Sequence, residues 1–200
     1  MLLYGSTDSG HSYKIRSYLL LSACPHEYQW IDLAQPHDDR LPAFVAASKF
    51  GEVPVLVDRG RSMCQSNAIL MYLAQHVGKL AGAETEWQNV LEWLSWETNR
   101  IGFSVPNLRY ALRWGAQPAE VLHYLRQRVL ADLASLDAAL FNQDFLLPSG
   151  PSIADISCSA YLFWLDQIAI AESEYPHLQR WLARLRALPH WQHPDVAMLA

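Results

Sequence analysis

The clearest indication of the fold is the sequence GEVPVL at residues 51–56, followed by QSNAIL at residues 65–70. Val53-Pro54 opens a short apolar strand, because proline cannot donate to a sheet ladder and belongs at a strand start or an edge. If the Val53-Pro54 bond is cis, which is inexpensive only before proline, the Val53 amide and carbonyl point outward unpaired. Gln65-Ser66 lies where a strand ends and a helix begins, so a hydroxyl and several free amides can bind an anion there. The two segments predict a binding surface for an extended peptide beside one for a carboxylate.

The residues around these segments alternate between strand and helix patterns. Apolar and polar spacing predicts, in order, a strand at residues 2–4, a helix from Gly10 to about Ala23, a strand at 28–33, a helix at 41–48, a hairpin at 55–64 and a helix at 66–77. This order is typical of an α/β layer with a mixed four-stranded sheet.

The second half of the chain carries only helical patterns. The stretch Gly78-Lys79-Leu80-Ala81-Gly82-Ala83 indicates a linker, placed at residues 79–85, between a first domain at 1–78 and an all-helical domain at 86–200. Apolar residues at helical spacing predict four helices there, over residues 84–114, 118–141, 152–171 and 175–188.

Composition excludes several classes of protein. The net charge of -5 argues against nucleic-acid binding, which needs clustered Lys and Arg. No apolar run approaches the roughly 20 residues that span a bilayer. The three cysteines contain no CxxC pair, so we expect no metal site and no paired redox motif, but buried thiols in a reducing cytoplasm.

Ser152-Ile-Ala-Asp155 is a capping box with aspartate in place of glutamate, and it predicts a sharp helix start. With Val53-Pro54 and Gln65-Ser66 ahead of it, the order of motifs resembles the cytosolic glutathione transferase family, of the serine type or the bacterial nu-like type. The resemblance covers essentially the whole chain. It implies a thioredoxin-like N-terminal domain with a C-terminal helical bundle, glutathione as co-substrate without a metal, a homodimer, and a small hydrophobic electrophile as second substrate.

The resemblance also implies which hydroxyl stabilises the thiol of glutathione. In tyrosine-type members the catalytic tyrosine precedes the arginine of the first helix by a spacing that, counted back from Arg16, reaches Ser6 here and not Tyr4. The shorter spacing of serine- and cysteine-type members reaches Ser9. Ser9-Gly10-His11 is similar to the Asn-Gly-His of nu-class enzymes, in which Thr7 would be a second donor. Ser9 is therefore the predicted catalytic residue, and the candidates behind it are Thr7, Ser6 and Ser12. A helix cap without any catalytic role is the alternative for Ser9.

The same comparison implies the glutathione contacts. The peptide backbone would pair with Val53 beside Pro54, and the γ-glutamyl end would meet Gln65 and Ser66, for which a simple helix cap is the alternative. Arg40, or else Lys49, would meet the glycyl carboxylate; a solvated surface charge is the alternative for Arg40. Glu52 departs from the lysine that serine-type relatives often carry there, and an acid at this place would repel the glycyl carboxylate.

The helical domain would supply the second-substrate pocket through Tyr110, Trp114 and Trp164, although aromatic residues there also suit a core. Three functions remain open at this point. They are a glutathione transferase, a glutathione-dependent disulfide or peroxide reductase, and a module that binds glutathione or a partner without turnover.

Overall fold

The computed structural model describes residues 1–199 and divides the chain into two compact units. The first unit comprises residues 1–81 together with the segment from Leu188 onward, and the second comprises residues 82–187. The domain boundaries at 1–78, 79–85 and 86–200 stay a prediction, and the structure groups the C-terminal segment with the first unit.

The first unit is built on a four-stranded sheet with strand order β2-β1-β3-β4. Strand β1 pairs parallel with β2 and antiparallel with β3, and β3 pairs antiparallel with β4, which confirms the mixed sheet. Its strands are β1 (Leu2–Gly5), β2 (Glu27–Trp30), β3 (Val55–Asp58) and β4 (Arg61–Cys64), and its longer helices are α1 (Gly10–Leu21), α2 (Pro42–Ala47) and α3 (Ser66–Val77).

Strand β2 ends at Trp30, three residues earlier than predicted. The Asp32 carboxylate accepts the Ala34 amide at 2.9 Å, which forms a local turn. This Asx turn competes with strand extension, and it explains why the alternating pattern of residues 28–33 overestimates the strand.

The C-terminal segment of the first unit is held on α1. The Tyr13 hydroxyl donates to the Gln192 carbonyl at 2.8 Å, and Arg16 Nε donates to the Ala197 carbonyl at 3.1 Å. Met198 is fully buried beyond the short helix α9 (Pro194–Ala197). Residues of α1 therefore anchor a segment that sequence patterns assign to the helical domain.

The second unit is helical, as predicted, but two predicted helices are interrupted. The helix predicted over residues 84–114 breaks at Arg100, where φ is -119° and ψ is -106°. The helix predicted over residues 152–171 ends at Ser159 and continues as a 3-10 segment at Leu162–Ile168. The unit contains α4 (Trp87–Asn99), α5 (Ile101–Arg113), α6 (Ala119–Ala139), α7 (Ile153–Ser159) and α8 (Pro176–Arg186).

Asp155 organises the start of α7 as the capping box predicts. Its carboxylate accepts the Ser152 amide at 2.8 Å, the Ser152 hydroxyl at 3.0 Å, the Leu146 amide at 2.9 Å and Trp181 Nε1 at 2.9 Å. The carboxylate is fully buried, and burial raises its pKa while the four donors oppose that change. One side chain thus joins three segments of the helical unit.

Within residues 1–199, no helix combines the length and the apolar character that a bilayer crossing requires.

Candidate functional site

Three segments leave the sheet of the first unit at the same edge. In the strand register Tyr4 lies opposite Val55, and Val55 lies opposite Cys64. These three paired residues lie at the carboxyl end of β1, the amino end of β3 and the carboxyl end of β4. Since neighbouring strands lie about 4.8 Å apart, the segments that adjoin these residues begin within roughly 10 Å of one another. The predicted residues of the first unit at positions 9, 53, 54, 65 and 66 all belong to these segments.

Gly5 allows the close packing that this edge requires. A Cβ atom at Gly5 would lie 2.9 Å from Cε2 of Tyr28 and 3.0 Å from Cβ of Ser12. A side chain there would displace the start of α1 from the end of β1. The glycine therefore fixes where the loop at residues 6–9 meets the first helix.

The Val53-Pro54 peptide bond is cis, as the sequence suggests. The ladder of β3 begins only at Val55, so the Val53 backbone lies outside it. Two side chains of the same unit bind the carbonyls that precede Val53. Ser48 Oγ donates a hydrogen bond to the Glu52 carbonyl at 2.9 Å, and the Arg40 guanidinium donates one to the Gly51 carbonyl at 3.0 Å. The loop that presents Val53 is thus fixed by two side chains.

The Ser9 side chain caps α1, and its hydroxyl can still donate a hydrogen bond. Its Oγ accepts the Ser12 amide at 3.1 Å, and its own amide donates to the Ser6 carbonyl at 3.1 Å. A hydroxyl that accepts one hydrogen bond still has its proton to donate. Capping and contact with a thiolate are therefore compatible at this half-buried side chain.

Burial distinguishes the four hydroxyl candidates. Ser6 and Ser12 are buried, and Ser12 Oγ accepts the Ser6 amide at 3.3 Å. Ser9 and Thr7 are both partly exposed. The structure thus leaves Ser9 and Thr7 as the accessible hydroxyls of this loop.

Gln65 is not a simple helix cap. It is a non-glycine residue with φ of 70°, a conformation that costs on the order of 1 kcal/mol, and its side chain makes no capping hydrogen bond to α3. Instead, Gln65 Nε2 donates to Glu52 Oε2 at 3.3 Å. Ser66 follows as the first residue of the twelve-residue helix α3, so its amide and hydroxyl lie at the positive end of the helix dipole.

Beneath this edge lie polar residues that the sequence analysis missed. His11 Nδ1 lies 3.5 Å from Ser66 Oγ, and Lys14 Nζ donates to Asn67 Oδ1 at 3.4 Å. Both contacts join the first turns of α1 and α3. The sequence carried one signal of these contacts, because Lys14 falls on the apolar face of α1 that also carries Tyr18. The structure buries both side chains fully.

Burial, and after it the positive charge of Lys14, lowers the pKa of His11 from its ordinary 6.5 to about 3. Between these pH values the unfolded chain binds the proton and the folded chain does not. The stability that neutral His11 allows is therefore complete above pH 6.5 and is lost as the pH falls toward 3, at up to about 1.4 kcal/mol per pH unit.

We expect the His11→Gln variant to lose less stability than the wild type between pH 7 and pH 5, by up to about 2 kcal/mol. Urea unfolding at both pH values measures this difference. The His76→Gln variant, at an exposed position of α3, is the matched control for removal of a histidine. If the free energy of unfolding has the same pH dependence in the wild type and the His11→Gln variant, the lowered pKa assigned to His11 is wrong.

Arg40 and Lys49 occupy different environments. The Arg40 guanidinium donates to the carbonyls of Gln35, Gly51 and Leu33 at 3.0, 3.0 and 3.1 Å, which uses three of its five N–H groups. Arg40 therefore shapes the loop before Val53. Lys49 is exposed, with its Nζ 5.1 Å from the centre of the Phe50 ring. Their contact with a carboxylate stays a prediction.

The predicted second-substrate residues belong to the helical unit. Tyr110 is 60% exposed and Trp114 is 49% exposed, whereas Trp164 is 1% exposed. The Arg109 guanidinium lies between the two tryptophans, 5.2 Å from the Trp114 ring and 4.1 Å from the Trp164 ring. The exposed surface thus consists of Tyr110 and Trp114, and Trp164 supports it through Arg109.

No group of three or more His, Cys, Asp or Glu side chains in residues 1–199 has the arrangement of a metal site. The groups at the sheet edge include hydroxyls, amides and backbone polar groups, together with the carboxylate of Glu52. They suit recognition of a peptide-like ligand.

Comparison with family sequence profiles gives two matches. Residues 3–81 match the profile described as the N-terminal domain of glutathione S-transferase. Residues 97–184 match the profile described as the C-terminal domain of the same family. The two matches cover most of both compact units.

Individual proteins are similar over most of this chain. The disulfide-bond oxidoreductase YfcG of Escherichia coli is 27% identical, over 94% of this chain and 90% of its own length. Elongation factor 1-gamma of Danio rerio is 28% identical over 72% of this chain, which spans only 33% of that protein. A crystal structure of a glutathione S-transferase from Pseudomonas fluorescens has a TM-score of 0.85 and 28% identity, covering 96% of this chain and 98% of its own. A transferase homologue from Lodderomyces elongisporus with two glutathione molecules per subunit has a TM-score of 0.85 at 20% identity, covering 98% and 97%, and shows the fold alone.

Proposed function

Because the chain belongs to the glutathione S-transferase family, we propose that it activates the thiol of glutathione for attack on a small electrophilic substrate. The observation that carries this proposal is the placement of Ser9. Its hydroxyl caps α1 at the sheet edge where Val53 and Gln65-Ser66 also lie.

Each part of glutathione has a matching group at this edge. The γ-glutamyl carboxylate would bind the Ser66 hydroxyl and amide at the start of α3, beside Gln65. The cysteinyl backbone would pair with Val53, whose backbone lies outside the ladder. The glycyl carboxylate would meet Lys49 or the remaining donors of Arg40.

The thiol would then lie at the start of α1. A free thiol has a pKa of about 8.5, so lowering it by about 2 units requires roughly 2.7 kcal/mol of preference for the thiolate. A hydroxyl donor and the positive end of a helix dipole supply stabilisation of this order together. Ser9 and the first turn of α1 provide both.

In the proposed reaction the thiol proton passes to solvent, and the thiolate sulfur forms a bond to the electrophilic carbon. The leaving group departs with the electron pair of the broken bond. The role of Tyr110 and Trp114 in binding the apolar part of an electrophile stays a prediction. Ser9 acts by stabilising the thiolate and forms no covalent bond itself.

Glutathione-dependent disulfide reduction is the second candidate. The similarity to a relative named as a disulfide-bond oxidoreductase, over nearly the full length of both chains, favours it. The same thiolate would attack a disulfide sulfur and expel the other thiolate, so the requirement for Ser9 is shared. A binding module without turnover is a further possibility, since elongation factor 1-gamma is among the similar proteins. We also propose that the protein is a cytoplasmic homodimer.

The proposal is tested by calorimetric titration with glutathione and by assays of one electrophile panel and one panel of mixed disulfides and hydroperoxides. Turnover of aryl or alkyl halides supports the transferase. Turnover of disulfides alone replaces it with the second candidate. A folded protein that binds no glutathione at millimolar concentration would refute both.

A further inference from the structure

The Glu52 carboxylate contacts the side chain of the residue that precedes α3. Its Oε2 accepts Gln65 Nε2 at 3.3 Å, and Gln65 immediately precedes the first residue of α3. The sequence alone suggests that Glu52 would repel the glycyl carboxylate. The observed contact instead directs its charge toward Gln65 and the start of α3.

The position of Glu52 is fixed by its backbone. Ser48 Oγ donates to the Glu52 carbonyl at 2.9 Å, and Arg40 holds the neighbouring Gly51 carbonyl at 3.0 Å. Among the ion pairs of residues 1–199, none involves Glu52, and the residue is exposed. An uncompensated carboxylate therefore stands beside a helix start that is suited to an anion.

Such an arrangement disfavours a ligand that is only an anion, because like charges repel. It suits a zwitterion, whose carboxylate meets the helix start while its ammonium group meets the acid. The γ-glutamyl residue of glutathione is such a zwitterion, with its free carboxylate and its ammonium group on the same carbon.

We propose that Glu52 is a specificity residue that binds the α-ammonium group of the γ-glutamyl end, an inference that rests on the proposed glutathione site. The ammonium group donates to the Glu52 carboxylate while Ser66 and the α3 amides hold the neighbouring carboxylate. The pair of sites then selects glutathione over peptides that lack the free amine.

The test compares the binding of glutathione with that of its desamino analogue, glutaryl-cysteinyl-glycine, by titration calorimetry. We expect the wild type to bind glutathione about tenfold more tightly than the analogue, and the Glu52→Gln variant to reduce this ratio to about twofold. Glu27→Gln is the matched control, because Glu27 is an exposed carboxylate of the same sheet at the opposite end of β1, opposite Leu2. It should keep the wild-type ratio.

An unchanged ratio in the Glu52→Gln variant, with glutathione still bound by the wild type, would overturn the role of Glu52 and leave the glutathione site intact. Equal binding of both ligands by the wild type would also overturn it. Binding of neither ligand by the wild type would refute the proposed function itself. Because Glu52 is exposed, thermal melts should show that the variant folds as the wild type does.

Discussion

The Ser9→Ala variant is expected to lose roughly 10- to 100-fold in kcat/KM toward an electrophile with glutathione, because the start of α1 keeps part of the thiolate stabilisation. The proposed thiolate stabilisation amounts to roughly 2.7 kcal/mol, and removal of a single donor to a developing anion costs a similar amount in other active sites. Steady-state kinetics with an aryl halide at neutral pH measures the loss. Since Ser9 also caps α1, the variant should lose about 1 kcal/mol of stability as well.

The Ser9→Asp variant separates these two roles. Aspartate is a good N-cap and its charge is favourable at the helix start, so the variant should be as stable as the wild type. However, its carboxylate would repel the thiolate, and turnover should fall at least as far as in Ser9→Ala. Asparagine at the same position caps the helix and donates an N–H group, so Ser9→Asn should keep more activity than either.

The result that would refute the role of Ser9 is unchanged turnover in Ser9→Ala with both an aryl halide and a mixed disulfide. The Thr7 hydroxyl, the other accessible one in the loop, would then be the next to test. Loss of activity that follows stability across the three variants would indicate that Ser9 serves α1 alone.

The largest effect on stability is expected for Asp155→Ala. This change leaves two amides, one indole N–H and one hydroxyl without their acceptor in a buried environment. Each buried donor that loses its partner costs about 1–3 kcal/mol, so the variant should lose at least about 3 kcal/mol. For a chain of this size that corresponds to a fall in melting temperature of roughly 6–12 °C.

Two variants provide the comparison for Asp155. Ser152→Ala removes the cap but leaves Asp155 its bonds to Leu146 and Trp181, and it should cost about 1 kcal/mol. Asp144 is an exposed carboxylate that pairs with Arg184 at 2.6 Å on the surface of the same unit, so Asp144→Ala should cost less than about 1 kcal/mol. Equal melting temperatures for Asp155→Ala and Asp144→Ala would contradict the role assigned to the buried carboxylate.

Local sequence determines much of the fold. The hairpin strands at Val55–Asp58 and Arg61–Cys64 and the helix at Ser66–Val77 agree with the prediction residue by residue. These elements have strong local signals, which are a glycine turn between two strands and a polar pair before a helix. The bond before Pro54 is cis, a geometry that only a proline bond adopts at low cost.

The helix breaks could not be predicted from periodicity, because apolar residues keep helical spacing across both of them. Gly102, two residues beyond the first break, was the available local signal. At Arg100 the chain turns so that the buried Glu97 carboxylate lies against Gly102, where a Cβ atom would stand 2.1 Å from Glu97 Oε1. The break in the later helix accompanies Trp164, whose φ of -123° is not helical. The contact at the first break is local, whereas Trp164 packs against Arg109 of α5, a residue that is distant in the sequence.

The candidate site also combines features that local sequence predicts with features that depend on packing. The positions of Ser9, Val53 and Gln65 follow from motifs, but the contacts of Glu52 with Gln65 and of His11 with Ser66 join residues 13 and 55 positions apart. Such contacts depend on the packing of α1 beside α3 and on the direction of each side chain. The sequence indicated that Glu52 was unusual, and the structure shows where its charge lies.

The proposed function requires that the sheet edge bind glutathione as a thiolate. The direct measurement is a spectrophotometric titration of the thiol in the complex, from its ultraviolet thiolate absorbance, for the wild type and the Ser9→Ala variant. We expect a thiol pKa about 2 units below the free value of about 8.5 in the wild type, and a pKa between these two values in the variant, which keeps only the start of α1. A thiol in the wild-type complex that titrates at the free value would contradict the proposed function.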